Sequence, residues 1–510
     1  MPGVVSDDGG GDGGAPTPGR PRPSRPGLVL VAACLAQFMV VLDVSVVNVA
    51  LPALRAALGF DADGLAWVVN AYTLAFAGFL LLGGRAADVF GRRRMFLAGL
   101  VLFGVASLVG GLADTPGLLL AARAVQGLGG AVLSPASLTV LTTTFTDGPA
   151  RARALGAWAA IGGLGGAAGG LAGGVLVQLL SWRWIFLVNV PVVVATVALS
   201  LAVVHETRAR ARPALDVTGA VLVTGGLVAL VHAVISSESR SWGSPWTWGG
   251  FALAAALLGA FVVSQRRVRA PLVPLEVFAV RSVSTANVVM FAIAAAMFSM
   301  WYFVSLHMQT VLGLDPLHAG LAFLPQSFSI VVGSQVSSRL LPRIGPRPLL
   351  VGGCLLTAAG FADFATLTPQ TSWAAGVLGP GIAVSLGMGL TFTPLATSAT
   401  AGVDASRAGL VSGLLTTSRQ TGGAVGLAVL ATLATARTTA LLGDGVAPAA
   451  AATAGTTRAF GVAAVVVGVA AVVSLAVPSP RRPRAGGRAD PADPAAPVTP
   501  AGPRDVPAAS

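Results

Sequence analysis

Lysine is absent from this 510-residue chain; all 32 basic residues are arginine, a bias typical of a GC-rich bacterial genome. Charged residues make up only 10% of the chain, against roughly 25% in soluble globular proteins, which excludes a soluble globular body. The two cysteines, Cys34 and Cys354, both lie in apolar runs and exclude a disulfide framework. The four histidines fall in separate segments, so no metal site and no cofactor is expected. Neither a phosphate loop nor a nucleophile–base pair is found, and the chain does not read as an enzyme. Residues 1–26 lack the apolar core of a cleavable signal peptide. They and residues 478–510, rich in Pro, Ala and Arg, read as disordered tails.

What remains is mostly hydrocarbon: 54% hydrophobic residues, mean hydropathy +0.80, and 65 glycines, a composition suited to close helix packing in lipid. Apolar runs of about 20 residues mark membrane spans. Fourteen are expected, near 28–50, 64–83, 95–113, 117–140, 153–178, 184–204, 217–235, 248–264, 283–307, 318–338, 348–367, 374–398, 407–433 and 457–477.

The arginines test this topology. Arg55, Arg183, Arg240, Arg437 and Arg458 fall on one side of it, Arg123 and Arg419 lie within helices, and the other 25 of the 32 fall in the two tails and the loops between them. Cytoplasmic loops collect arginine, so both termini are predicted cytoplasmic. The net charge of +12 then belongs to the membrane surface rather than to nucleic acid.

The chain also repeats itself weakly. Arg153 and Arg407, Gly169 and Gly423, and Gly91 and Gly345 are each separated by the same 254 residues. This offset implies two homologous six-helix bundles, over 27–205 and 271–477, with two inserted helices in 206–270. Parallel repeats of this kind build transporters whose substrate site lies at the repeat interface.

Four motifs carry chemistry. In "GRAADVFGRRR" (84–94), Gly84 allows close helix contact, Asp88 and Arg92 are spaced i, i+4 for pairing, Gly91 permits a tight turn, and Arg92 and Arg93 anchor the loop. An ordinary arginine-rich loop is the plainer reading. In "RAVQGLGGA" (123–131), Arg123 shares a helical stripe with Gly127, Gly130 and Ser134, with Gln126 beside it. A buried Arg needs an acid or carbonyls as partner. In "GGLGGAAGGLAGG" (162–174), Gly162, Gly165, Gly169, Gly170, Gly173 and Gly174 allow backbones to touch or the helix to bend. In "VVLDVSVVNVALP" (40–52), Asp43 stands amid hydrocarbon, where a carboxylate costs about 2.5–3.5 kcal/mol on insertion scales.

These segments resemble the major facilitator superfamily. "GRAADVFGRRR" is similar to its motif A, "RAVQGLGGA" to its motif B and the glycine run to its antiporter motif C, with Gly170 where that pattern has proline. "LDVSVVNVALP", "WVVNAYTLA" (67–75), "SWRWIFLVNVP" (181–191) and "APLVPLEVF" (270–278) resemble the fourteen-helix drug:proton antiporters. The resemblance implies an all-α integral membrane protein of the major facilitator fold, a monomer in the bacterial cytoplasmic membrane that exports hydrophobic drugs or antibiotics against protons. It implies gating by Gly84, Asp88, Gly91, Arg92 and Arg93, and a proton site at Asp43 tuned by Arg123 and Gln126. Asn48, Asn70, Tyr72 and Arg419 are the expected substrate-cavity residues.

A desolvated carboxyl favours its neutral form, while Arg123 or a cationic substrate favours the ionised one, so proton and cargo compete. The alternative is an Asp that pairs with Arg123 only to orient two helices. Met297 occupies the position 254 residues from Asp43; without a second acid there, small hydrophobic or monocationic substrates are favoured over dications. Two rival functions are a dedicated exporter of one host-made metabolite and a non-transporting membrane sensor.

Overall fold

The structure is a computed structural model. It describes residues 26–478 except 147, 207–213, 241–243, 402 and 405–406; the two expected tails lie outside the described residues, apart from Pro26 and Pro478. Among the described residues the helices group into fourteen segments, of which α6, α10 and α12 are each two pieces in succession: α1 (Pro26–Leu58), α2 (Ala62–Phe90), α3 (Arg92–Gly111), α4 (Pro116–Thr144), α5 (Gly148–Leu179), α6 (Trp184–Val203), α7 (Val217–Arg240), α8 (Pro245–Arg267), α9 (Arg281–Thr310), α10 (Pro316–Ile344), α11 (Pro346–Phe364), α12 (Ala374–Thr400), α13 (Ala408–Gly443) and α14 (Pro448–Ser474), with a short 3-10 turn at Leu275–Ala279 before α9. No strand occurs among the described residues.

Local chemistry sets these starts. Thr115–Pro116, Ser244–Pro245 and Asp315–Pro316 each place a capping oxygen before a proline that needs no N–H partner. Between α2 and α3 the chain turns through Gly91 at φ 110°, and between α10 and α11 through Gly345 at φ 79°, values that L side chains resist.

Among the described residues, twelve helices are long and apolar enough to cross a membrane, or thirteen if α5, bent by 42° between Gly166 and Ala168, counts as one span. The expected span outside that count is α11, 19 residues long with Arg347 and Asp363 near its ends. It packs between α12 and α14.

The packing repeats along the chain. α1 lies against α4, α5 and α6, α2 against α4, and α3 against α4 and α6; eight helices later, α9 lies against α12, α13 and α14, α10 against α12, and α11 against α12 and α14. Equivalent glycines make equivalent approaches. A Cβ on Gly99 would meet Leu133, and one on Gly353 would meet Gly387, while Gly127 abuts Tyr72 and Gly381 abuts Gln326. Lipid offers no hydrophobic drive between helices, so such small-residue contacts hold them together. The two sets meet along α2–α13, α5–α10 and α1–α9, and α7 and α8 pack on each other with α7 against both α2 and α13.

One expected contact shifts by a residue. Gly83, not Gly84, makes the close approach to α4: its Cβ would lie 2.9 Å from Val132 Cα, whereas one on Gly84 would sit an ordinary 3.6 Å from Pro135. Helical rotation of about 100° per residue decides which of two adjacent glycines faces the neighbour.

Candidate functional site

Asp43 is fully buried on α1 and is met by side chains from α4 and α6. Its Oδ2 lies 2.5 Å from Arg123 Nη1 on α4. Its Oδ1 accepts from Gln126 Nε2 at 2.6 Å and from Asn189 Nδ2 of α6 at 3.3 Å. Arg123 is likewise buried; its Nη1 also donates to Gln126 Oε1 at 2.8 Å, and its Nε donates to the Val68 carbonyl of α2 at 3.0 Å. Its guanidinium lies 4.5 Å from the Tyr72 ring centroid and 5.8 Å from that of Phe186. Ser107 of α3 accepts from Gln126 Nε2 at 2.9 Å. Of the ion pairs among the described residues, Asp43–Arg123 alone has both side chains buried.

The helix periods place these groups. Arg123 and Gln126 are i, i+3 on α4, so one face presents both donors to Asp43. Gly127 and Gly130 on the same helix abut Tyr72 and Phe76 and bring α2 close enough for Val68 to accept from Arg123. The three expected coupling residues thus come together. Ser107 and Asn189 were missed; Asn189 is the one amide in the "IFLVNVP" run, and a lone polar residue in hydrocarbon is the signal for it. Replacing Asn189 with Leu removes one donor from a buried carboxylate and is expected to cost about 1–3 kcal/mol, measured as a lower unfolding temperature in detergent.

A narrow cleft lies where α1 and α5 face α9 and α10. It is lined by Ser45, Asn48 and Val49, by Gly166 and Gly170, and by Trp301, Phe323 and Ser327. Beyond it, Ser305 Oγ donates to the Asn48 carbonyl at 2.8 Å and Gln309 Nε2 to the Val49 carbonyl at 3.0 Å, tying α9 to α1.

Of the expected cavity residues only Asn48 lines this cleft. Tyr72 lies instead over Arg123, because its face of α2 meets α4. Asn70 is fully buried, with neither amide atom partnered among the described residues; it shares a stripe of α2 with Ala66 and Leu74, which pack with Leu227 and Val231 of α7 and Ala424 of α13. Arg419 is half-buried on α13, and its Nε has no partner there. Position along a helix was legible for these three; facing was not.

The glycine run divides into two faces. Gly162, Gly165, Gly169 and Gly173 lie against Gln37, Phe38, Ser45 and Val46 of α1, and Ser45 Oγ donates to the Gly165 carbonyl at 3.2 Å. Gly170 and Gly174 face α10. The bend in α5 falls within this run, so glycine serves here without the proline.

At the α2–α3 turn, Arg92 pairs with Asp88 at 3.4 Å. Arg93 donates to the Leu201 carbonyl at 2.9 Å, and the Glu206 carboxylate accepts from the backbone N–H groups of Arg93 and Arg94, each at 3.2 Å. This acid caps the start of α3, where a negative charge is favourable.

A repeated packing of long apolar helices around a narrow cleft, with a charge pair buried between α1 and α4, is the form of a polytopic membrane transporter. Residues 33–427 match the family model described as Major Facilitator Superfamily, and the chain belongs to that family. It is 46% identical over 408 residues to a cephamycin export protein of Amycolatopsis lactamdurans, covering 79% of this chain and 84% of that one. It is 42% identical over 428 residues to a puromycin resistance protein of Streptomyces alboniger, covering 83% and 84%. Among solved structures, a bacterial homologue of the lysosomal transporter Spinster, inward-facing and unoccupied, shares the fold at TM-score 0.63 and 15% identity, covering 89% of this chain and 97% of that one.

Proposed function

We propose that this chain is a proton-coupled antiporter that exports small hydrophobic or singly cationic drugs or antibiotics across a bacterial cytoplasmic membrane, with both termini cytoplasmic. The observation that carries this reading is Asp43, buried and ion-paired two residues along α1 from the cleft residue Ser45. In this arrangement the carboxylate and Arg123 neutralise each other. A proton on Asp43 removes that balance and leaves a buried cation held only by Gln126 and the Val68 carbonyl. An uncompensated buried charge is costly, so protonation favours a rearrangement of α1 against α4. A cationic cargo in the cleft disfavours that extra positive charge, so proton and cargo alternate.

Each proton moving inward gains about 2.3 kcal/mol per 100 mV, which drives export. The cleft lining holds hydroxyls, one amide and two aromatic rings but no charged group, which suits uncharged or weakly basic amphiphiles. The two halves and the inserted pair are proposed to be the moving and bracing parts, with the Asp88–Arg92 turn as gate and the α5 glycines as the flexible element.

The names of several relatives favour a narrower second reading, an exporter dedicated to a single antibiotic. Everted vesicles test both. Adding puromycin, then a panel of unrelated amphiphiles, to acidified vesicles is expected to collapse part of the proton gradient. A response to one compound alone supports the narrow reading; no proton movement with any of them rejects antiport.

A further inference from the structure

The connection from α8 to α9 is held in a way that a flexible linker is not. Arg85 of α2 donates from Nη1 to the Ala270 carbonyl at 2.7 Å and from Nη2 to the Pro271 carbonyl. The next two residues are held from the other side. Leu272 N–H donates to Asp216 Oδ2 at 3.5 Å, and Val273 N–H to Gln265 Oε1 at 2.9 Å. Asp216 and Gln265 are themselves buried and joined at 2.6 Å, and Asp216 also caps the start of α7 through Gly219 N–H at 2.8 Å. Four successive residues therefore have a peptide group committed, and Pro271 and Pro274 have no N–H to offer and a fixed φ. Leu272 and Val273 are buried as well.

The grip spans three parts of the molecule. Arg85 lies three residues before Asp88 on the gating helix. Asp216 and Gln265 belong to the inserted pair, which is itself fixed to both halves: Gly78 of α2 abuts Thr224 of α7, and Thr432 of α13 donates to the Val234 carbonyl of α7 at 3.3 Å. The held segment leads through a short 3-10 turn, Leu275–Ala279, into α9, whose far end ties to α1. Arg is suited to the task, since its planar fork reaches two carbonyls at once.

We propose that residues 270–273 form a rigid strut, clamped by Arg85 on one side and by Asp216 and Gln265 on the other, which carries the movement of α2 to α9 during transport. The inserted helices are then part of the transport machinery, and Arg85 is a positioning residue that touches no cargo. The inference rests on the chain being a transporter and not on which compound it moves.

The test uses the full chain in lipid nanodiscs, with Cys34 and Cys354 replaced by Ala and spin labels at Phe90→Cys and Arg281→Cys, both exposed positions. With Arg85 intact the label distance is expected to be narrow; Arg85→Ala should broaden it, and Arg85→Lys should fall between. An unchanged distribution in Arg85→Ala overturns the strut. In everted vesicles, Arg85→Ala should lower the puromycin transport rate about tenfold, the scale of coupling through one contact network, with KM changed less than about twofold. Bridging Arg85→Cys to Ala270→Cys with a short bifunctional thiol reagent should restore the rate. No restoration, or arrest by the bridge, overturns the strut in favour of passive packing or of a latch that must open. Failure of the unmodified chain to move puromycin counts against the choice of cargo, and the label distances then decide the strut alone.

Discussion

Asp43→Asn is expected to abolish substrate-driven proton movement while the protein still reaches the membrane. The amide keeps the shape of the carboxyl and can still accept from Gln126 or Asn189, so the local packing survives. It cannot carry a proton, and it leaves Arg123 as an unpaired buried cation. Breaking a buried pair from one side costs about 3–5 kcal/mol, and Arg123→Gln should cost a similar amount by stranding Asp43.

The double variant Asp43→Asn, Arg123→Gln separates structure from coupling. Replacing both members of a buried pair is often nearly neutral, so the unfolding temperature should recover most of its loss, a coupling that a double-mutant cycle measures. Proton movement should not recover. If the double variant exchanges puromycin for protons at the rate of the unmodified chain, the pair only orients α1 against α4 and the proton site lies elsewhere.

The second large effect is expected at Gly174. A Cβ there would lie 2.5 Å from the Pro316 carbonyl oxygen and 2.9 Å from Leu317 Cα, both backbone atoms of α10 that cannot swing aside. Gly174→Val should force α5 and α10 apart at a cost of about 1–3 kcal/mol, and transport should fall with the lost contact between the halves. Gly170→Ala is the control. Its Cβ would meet Phe323 Cβ at 3.3 Å and the Gly320 carbonyl oxygen at 3.5 Å, a crowding that a small local shift relieves, so stability should change by less than about 1 kcal/mol. Unfolding temperature and vesicle transport read both variants. Wild-type transport by Gly174→Val would mean that this contact plays no part in the cycle.

The sequence carried the span pattern because hydrocarbon length is a local property: about 20 apolar residues in a row mark a helix wherever it packs. It carried the repeat because Gly91 and Gly345 meet the same local demand, a turn at positive φ. It carried Asp43, Arg123 and Gln126 because a polar group in hydrocarbon stands out against its neighbours. The span at α11 is short, 19 residues with Arg347 and Asp363 near its ends, and the facing of Gly83 rather than Gly84 toward α4 turned on a single residue of helix rotation.

By itself, then, the sequence determined a helical membrane protein, the order of its spans, the family to which it belongs and the identity of three members of the buried cluster. Only the tertiary structure decided that Ser107 and Asn189 complete that cluster, that Tyr72 covers Arg123 instead of lining the cleft, and that Trp301 and Phe323 face Ser45 and Asn48. It also revealed the grip of Arg85 on residues 270–273, a contact across 185 positions of chain. The reason is physical: burial and helix formation follow from neighbours in sequence, whereas which face of a helix meets which partner depends on how every other helix has settled around it.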